Sequence, residues 1–140
     1  MADVKDKIRA LFETPMVGVL ATITDEGKPR ARYVVARMDE EMTLRIATNL
    51  GSNKVGQIKA KPEVHFVTGF TSMETTKGIV QVDGKAEITT VQTERDAIWN
   101  DQLSTYFKGP SDPNLAVVII RPTRIEYATM SPEPMEVWEP

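Results

Sequence analysis

The chain has no cysteine among its 140 residues and a single histidine, His65. The first absence excludes disulfides, thiolate nucleophiles, thiolate metal sites and cysteine-ligated clusters. The second leaves no histidine-rich metal centre, so no metal is expected. The formal net charge is −3, which gives nucleic-acid binding no electrostatic support. No apolar run is long enough to cross a bilayer as a helix, so no membrane is expected as a partner. The first seven residues are charged and lack the apolar core of a signal peptide, which makes a cytoplasmic location the expectation. Neither an internal repeat nor a low-complexity segment is present.

What remains suits one domain, 1–140, with one core. Its hydrophobic fraction, 41%, is that of an ordinary globular protein. Val4, Ile8, Leu11 and Phe12 recur at helical spacing after Asp3, a candidate N-cap, and Pro15 ends that helix. Strands are expected over 16–24, 30–37, 42–48 and 63–68, and a further one over 77–88 with a bulge or turn at Asp83-Gly84. A short helix covers 54–60 and a longer one 91–107. The apolar run Ala116–Ile120 reads as a buried strand, and 124–128 as a last one. The proline-rich tail is expected to have no regular structure. Six or seven antiparallel strands joined by short turns, with flanking helices, point to a mainly β fold, a closed barrel.

Chemistry concentrates in Thr48-Asn49-Leu50-Gly51-Ser52-Asn53-Lys54. A strand that turns through Gly and Ser into a helix with Lys in its first turn can cradle a phosphate, because the first helical N–H groups lack partners and the dipole favours an anion. The plainer reading is that Ser52 is an N-cap and Lys54 a solvated cation. On the second strand Arg30 and Arg32 share one face and Arg37 takes the other. If that strand lies beside the one leading into Ser52–Lys54, Arg32 and Lys54 converge on one phosphate. Three arginines that merely protect a sheet edge are the alternative.

In this order, Arg32-Tyr33-Val34-Val35-Ala36-Arg37, then Ile46 to Lys54, then Ile58-Lys59-Ala60-Lys61-Pro62-Glu63-Val64 resemble the flavin-binding core of the pyridoxamine 5′-phosphate oxidase-like family. The resemblance spans about Met16 to Tyr127. It implies an FMN-binding split barrel that works as a homodimer, with flavin at the subunit interface. Arg32 and Lys54 would hold the FMN phosphate, supported by Ser52 and Asn53. The backbone of Arg32, Tyr33, Val34 and Val35 would meet the ring edge. Ala47 and Thr48 would line the ring and ribityl chain, and Arg37 matches a basic position on the substrate side.

The departures from that family's oxidases narrow the expectation. Gly78-Ile79 stands where they carry an Arg-Gln pair, and only Gln81 is near enough in sequence to substitute. Their pyridoxal-phosphate clamp and C-terminal extension have no counterpart, so oxidation of pyridoxamine 5′-phosphate is not expected. Trp99, Tyr106 to Pro113, and Arg124-Ile125-Glu126-Tyr127 resemble the general stress protein branch. The function expected is that of an FMN-binding redox protein, a flavin-dependent oxidoreductase whose substrate and electron donor the sequence does not name, and whose catalytic residues stay unassigned. A non-catalytic flavin-binding stress protein and a deazaflavin-binding reductase on the same barrel are the alternatives. Haem binding would have only His65 to supply imidazole, and a lone strand histidine is ordinarily a packed or solvated residue. Trp99 and Trp138 are packing residues, with Trp138 also a candidate cover for a partner's flavin.

Overall fold

A computed structural model describes residues 3–140. Its elements are α1 (Val4–Leu11), β1 (Met16–Ile23), β2 (Pro29–Met38), β3 (Leu44–Asn49), α2 (Asn53–Ala60), β4 (Glu63–Thr68), β5 (Ile79–Thr89), α3 (Gln92–Ile98), β6 (Leu115–Ala128) and β7 (Glu136–Trp138), with a 3-10 helix at Asp101–Thr105. Each boundary has a local cause. Asp3 caps α1, its carboxylate accepting from the Asp6 N–H at 3.0 Å. Gly27, at φ 78°, supplies the left-handed residue of the turn between β1 and β2. The third strand starts at Leu44 and not at Met42, because Met42 takes φ 72° inside the turn that Asp39 organises.

Alternation along the strands builds the barrel. In β5, Val80, Val82, Gly84 and Ala86 face inward, while Gln81, Asp83, Lys85 and Glu87 face solvent. The order is β3-β2-β1-β4-β5-β6-β7, and an added β3–β6 pairing closes six strands into an antiparallel barrel. Leu20, Ile46, Phe66, Val82 and Ile120 are fully or almost fully buried within it. Closure leaves β7 as an extra strand on the far half of β6.

Three further expectations are corrected. The helix expected over 91–107 is two pieces. Trp99 turns extended (φ −60°, ψ 136°), and the Asn100 side chain accepts from the Gln102 N–H to start the 3-10 helix. The strands expected at 116–120 and 124–128 are one strand, β6, running through Pro122. The ladder steps from Asp83–Arg124 to Gly84–Pro122, which leaves Thr123 as the extra residue of a bulge. A Cβ on Gly84 would lie 2.9 Å from the Arg121 carbonyl oxygen and 2.8 Å from Ile120 Cγ2, so the bulge needs glycine there. Finally, the tail is not irregular throughout. Residues 136–138 pair with Ile125–Tyr127, Lys7 Nζ meets Glu136 Oε2 at 2.8 Å, and Trp138 packs on the core.

Candidate functional site

The barrel is split where the site residues gather. β2 pairs with β1 from Pro29 to Ala36 but with β3 only from Ala36 to Met38. Beyond that point β3 continues as Ala47-Thr48-Asn49 and pairs with β6 on its other side. The β3-side edge of β2 over Arg32–Val35 therefore has no strand partner, and alternate backbone N–H and C=O groups along it are free to meet a ligand.

Arg32 lies on the inward face of β2 at the open end of the barrel. Its NH1 donates to the Leu20 carbonyl at 3.1 Å, to Thr22 Oγ1 at 2.8 Å and to the Arg30 carbonyl at 3.2 Å; NH2 donates to Gln57 Oε1 at 3.1 Å. Every one of these acceptors is neutral. Lys54, in the first turn of α2, donates to Thr48 Oγ1 at 2.7 Å and to Ser52 Oγ at 3.3 Å, again neutral acceptors. Ser52 precedes α2 as its N-cap residue, yet its side chain makes no capping bond and serves Lys54 instead. Burial lowers the Lys54 pKa, and repulsion from Arg32 lowers it further. Burial likewise lowers that of Arg32, with Arg30 adding to the effect.

These two cations contrast with Arg45, on the outer face of β3. Asp39 Oδ2 and Glu94 Oε1 lie 2.7 and 2.9 Å from its guanidinium, an arrangement that ties β3 to α3. Asp39 is thus a structural partner. Among the described residues neither Arg32, Lys54 nor Arg37 has a carboxylate within 4.0 Å. A pair of half-buried, mutually repelling cations held only by neutral acceptors is electrostatically incomplete. An anion would complete it.

A cavity of about 360 Å³ opens beside this pair. Val35, Arg37, Ala47, Thr48 and Asn49 form its barrel wall, and Ile98, Leu103, Tyr106 and Phe107 much of the wall opposite. Thr48 belongs to both places, accepting from Lys54 and lining the cavity. Arg37 has one hydrogen bond, to the Ala97 carbonyl at 3.4 Å. Tyr33 and Val35 point outward from β2, Tyr33 almost wholly exposed at 81%. Val34 points into the core, which leaves only its backbone to a ligand. Asn53 is exposed, with no side-chain hydrogen bond among the described residues.

The site residues read from sequence therefore fall together around the split, with Arg37 at its far end. Sequence reasoning missed the neutral acceptors Thr22 and Gln57. Gln57 had a signal, since it stands one helical turn after Lys54; Thr22 alternates among apolar residues and had none. Gln81 is exposed on β5 opposite Val67 and Glu126, away from the split within this chain. His65 Nδ1 meets Asp83 Oδ1 at 2.8 Å on the outer face, as an exposed surface pair.

Comparison with known proteins bears on the fold and the family. The pyridoxamine 5′-phosphate oxidase family model matches residues 4–129. General stress protein 26 of Bacillus subtilis is 33% identical over 123 residues, 88% of this chain and 86% of that protein. A pyridoxine/pyridoxamine 5′-phosphate oxidase of Salmonella paratyphi B is 36% identical over 78 residues, which are 56% of this chain and only 34% of the oxidase. The crystal structure of general stress protein 26 from Bacillus anthracis superposes with a TM-score of 0.79 at 28% identity, covering 89% of this chain and 92% of that one.

Proposed function

The chain belongs to the pyridoxamine 5′-phosphate oxidase family, and from that premise we propose that it is an FMN-binding redox protein acting on a small molecule. The observation that carries the reading is the Arg32–Lys54 pair, two partly buried cations without a carboxylate at the open edge of a split barrel. The residues fit the cofactor. Arg32 and Lys54 would hold its phosphate, and Ser52 would orient Lys54 while Asn53 flanks the site. The free backbone edge of Arg32–Val35 would meet polar atoms of the ring, and Ala47 and Thr48 would line it and the ribityl chain. When bound, FMN supplies hydride acceptance and donation, and the protein supplies position and electrostatics.

The protein's own work is then threefold. The two cations fix one end of the ligand. Thr22 and Gln57 hold Arg32 in place before the ligand arrives, which lowers the entropy cost of binding. The apolar wall of the cavity excludes water beside the split. The pyridoxamine 5′-phosphate oxidase activity of longer relatives is not part of the proposal, because nothing along Tyr106–Pro113 supplies a second phosphate clamp.

A dimer completes the reading. Val17, Tyr33 and Val35 are 64%, 81% and 52% exposed on the outer face, where Val17 pairs with Val35 and Val19 with Tyr33. Phe70, also exposed, extends the patch, lining one pocket with Val17 and Tyr33. Val35 also lines the cavity, so a second copy docked on this face would border the cofactor.

Titration with FMN and with riboflavin tests the assignment. A charge-assisted hydrogen bond contributes on the order of 1.5–3 kcal/mol. Lys54→Ala is therefore expected to weaken FMN binding about tenfold or more, with riboflavin, which lacks the phosphate, binding wild type and variant alike. Equal loss of riboflavin would make Lys54 a structural residue and remove the phosphate assignment.

A further inference from the structure

We propose that Gln57 sets the charge specificity of the anion site: its uncharged amide keeps the positive charges of Arg32 and Lys54 available to a phosphate, which a carboxylate in the same place would shut out. Only the identification of that phosphate with the cofactor's rests on the flavin reading. Gln57 is partly buried on α2 and reaches across to β1 and β2. Its Oε1 accepts from the Thr22 hydroxyl and from Arg32 NH2, the latter at 3.1 Å. Thr22 is fully buried, and its Oγ1 accepts from Arg32 NH1 at 2.8 Å, so its own proton goes to Gln57. A guanidinium N–H can only donate. The atom of Gln57 that faces Arg32 is therefore the oxygen, and the orientation of the amide is fixed.

Glutamate has the same shape as glutamine, and one carboxylate oxygen would accept both bonds that Oε1 accepts. The hydrogen-bond geometry at this oxygen thus does not require an amide; what the amide decides is charge. A carboxylate here would face both cations. It would touch Arg32 directly, and Lys54 stands one helical turn away on the same side of α2. Burial and repulsion from Arg32 already act against the charge on Lys54, so an internal anion would relieve both and leave little attraction for an external one. The chain does neutralise an arginine with carboxylates where the role is structural, pairing Arg45 with Asp39 and Glu94. At Arg32 it offers the Leu20 and Arg30 carbonyls, a hydroxyl and an amide oxygen. These acceptors fix the guanidinium without cancelling its charge. Gln57 is thus a positioning residue whose neutrality matters more than its bonds.

Two variants of the full chain separate charge from support. Gln57→Glu keeps both hydrogen bonds and adds a negative charge; Gln57→Leu removes both bonds and adds none. If Gln57 only steadied Arg32, the Leu variant would bind FMN more weakly than the Glu variant. The opposite order is expected. Gln57→Glu should weaken FMN about tenfold or more, and by more than Gln57→Leu, while riboflavin binds all three proteins alike. Gln57→Glu should also raise the melting temperature of the cofactor-free protein, a gain that misfolding cannot produce. Inorganic phosphate at constant ionic strength should raise the melting temperature of wild type and of Gln57→Leu, and leave Gln57→Glu unmoved. A Gln57→Glu variant that keeps its FMN affinity, that loses less than Gln57→Leu, or that loses riboflavin by the same factor overturns the inference. The two readings fail separately. A wild type that binds no flavin, with a phosphate response that Gln57→Glu abolishes, removes the cofactor alone. FMN binding that Gln57→Glu leaves intact removes the role of Gln57 alone, and a wild type that responds to neither FMN nor phosphate removes both.

Discussion

Lys54 is held charged at a cost to the fold. Its pKa is lowered by burial and by Arg32, so the folded state disfavours the proton that the unfolded chain keeps. For a group shifted this way the destabilisation is present at neutral pH, and it is relieved only as pH rises through the folded value toward the ordinary 10.5. Lys54→Met is accordingly expected to raise the melting temperature of the cofactor-free protein at pH 7. Inorganic phosphate at constant ionic strength should raise that of wild type and leave the variant unmoved. A variant less stable than wild type would mean that the bonds to Thr48 and Ser52 outweigh the repulsion. Asp112 has the opposite sign. The N–H groups of Lys108 and Asn114 hold its carboxylate below the ordinary value of 3.8. Its contribution is present above that pH and is lost as pH falls through the folded value. Asp112→Asn should flatten the acid limb of a stability-versus-pH curve measured by denaturant unfolding.

Among the elements, β7 is the one whose role the sequence concealed. Three residues pair with β6, Trp138 lies opposite Ile125, and Glu136 anchors Lys7 of α1. Trp138→Ala is expected to cost about 2 kcal/mol, below the range for a fully buried aromatic because the side chain is only partly covered. An unchanged denaturation midpoint would show that β7 rests on the barrel without supporting it. The run Met135 to Trp138 is too short to show a period, and the nearby prolines outweigh it in any local reading. By contrast β4 was legible to the residue, because Val64, Phe66 and Thr68 alternate with Glu63, His65 and Val67 between clear turns. The break at Trp99-Asn100 was hidden for a different reason. Ile98, Leu103 and Phe107 keep apolar residues coming every four or five positions across it, with no Pro or Gly before Gly109, so the segment reads as one helix while the Asn100 side chain starts a second. Pro122 misled in the other direction. It reads as the end of a strand, and only the cross-strand partner Gly84 and the extra residue Thr123 let the ladder continue. That Arg32 and Lys54 come close together was legible from residue type and spacing. Their neutral surroundings were not, since Leu20, Thr22 and Gln57 reach Arg32 only through the closed barrel.

At the scale of the whole molecule, one barrel leaves its site open on a side that carries exposed Tyr33, Val35 and Val17, with Phe70 nearby. A lone exposed apolar residue means little, but here register makes three of them neighbours across β1 and β2. The same outer face borders the cavity through Val35. Two copies related by a two-fold axis would cover both patches at once and wall both cavities, so assembly and cofactor affinity should be linked. Tyr33→Asp places a charge in the middle of the patch without touching the core, since its side chain is 81% exposed. The variant is expected to stay folded, to run as a monomer in light scattering at micromolar concentration, and to bind FMN at least tenfold more weakly than wild type. Riboflavin should weaken by the same factor, because the missing contacts belong to the ring and not to the phosphate. That common loss distinguishes the interface from Lys54, whose removal spares riboflavin. A monomeric wild type that binds one FMN per chain would defeat the coupling, and with it the assignment of this face to a second copy.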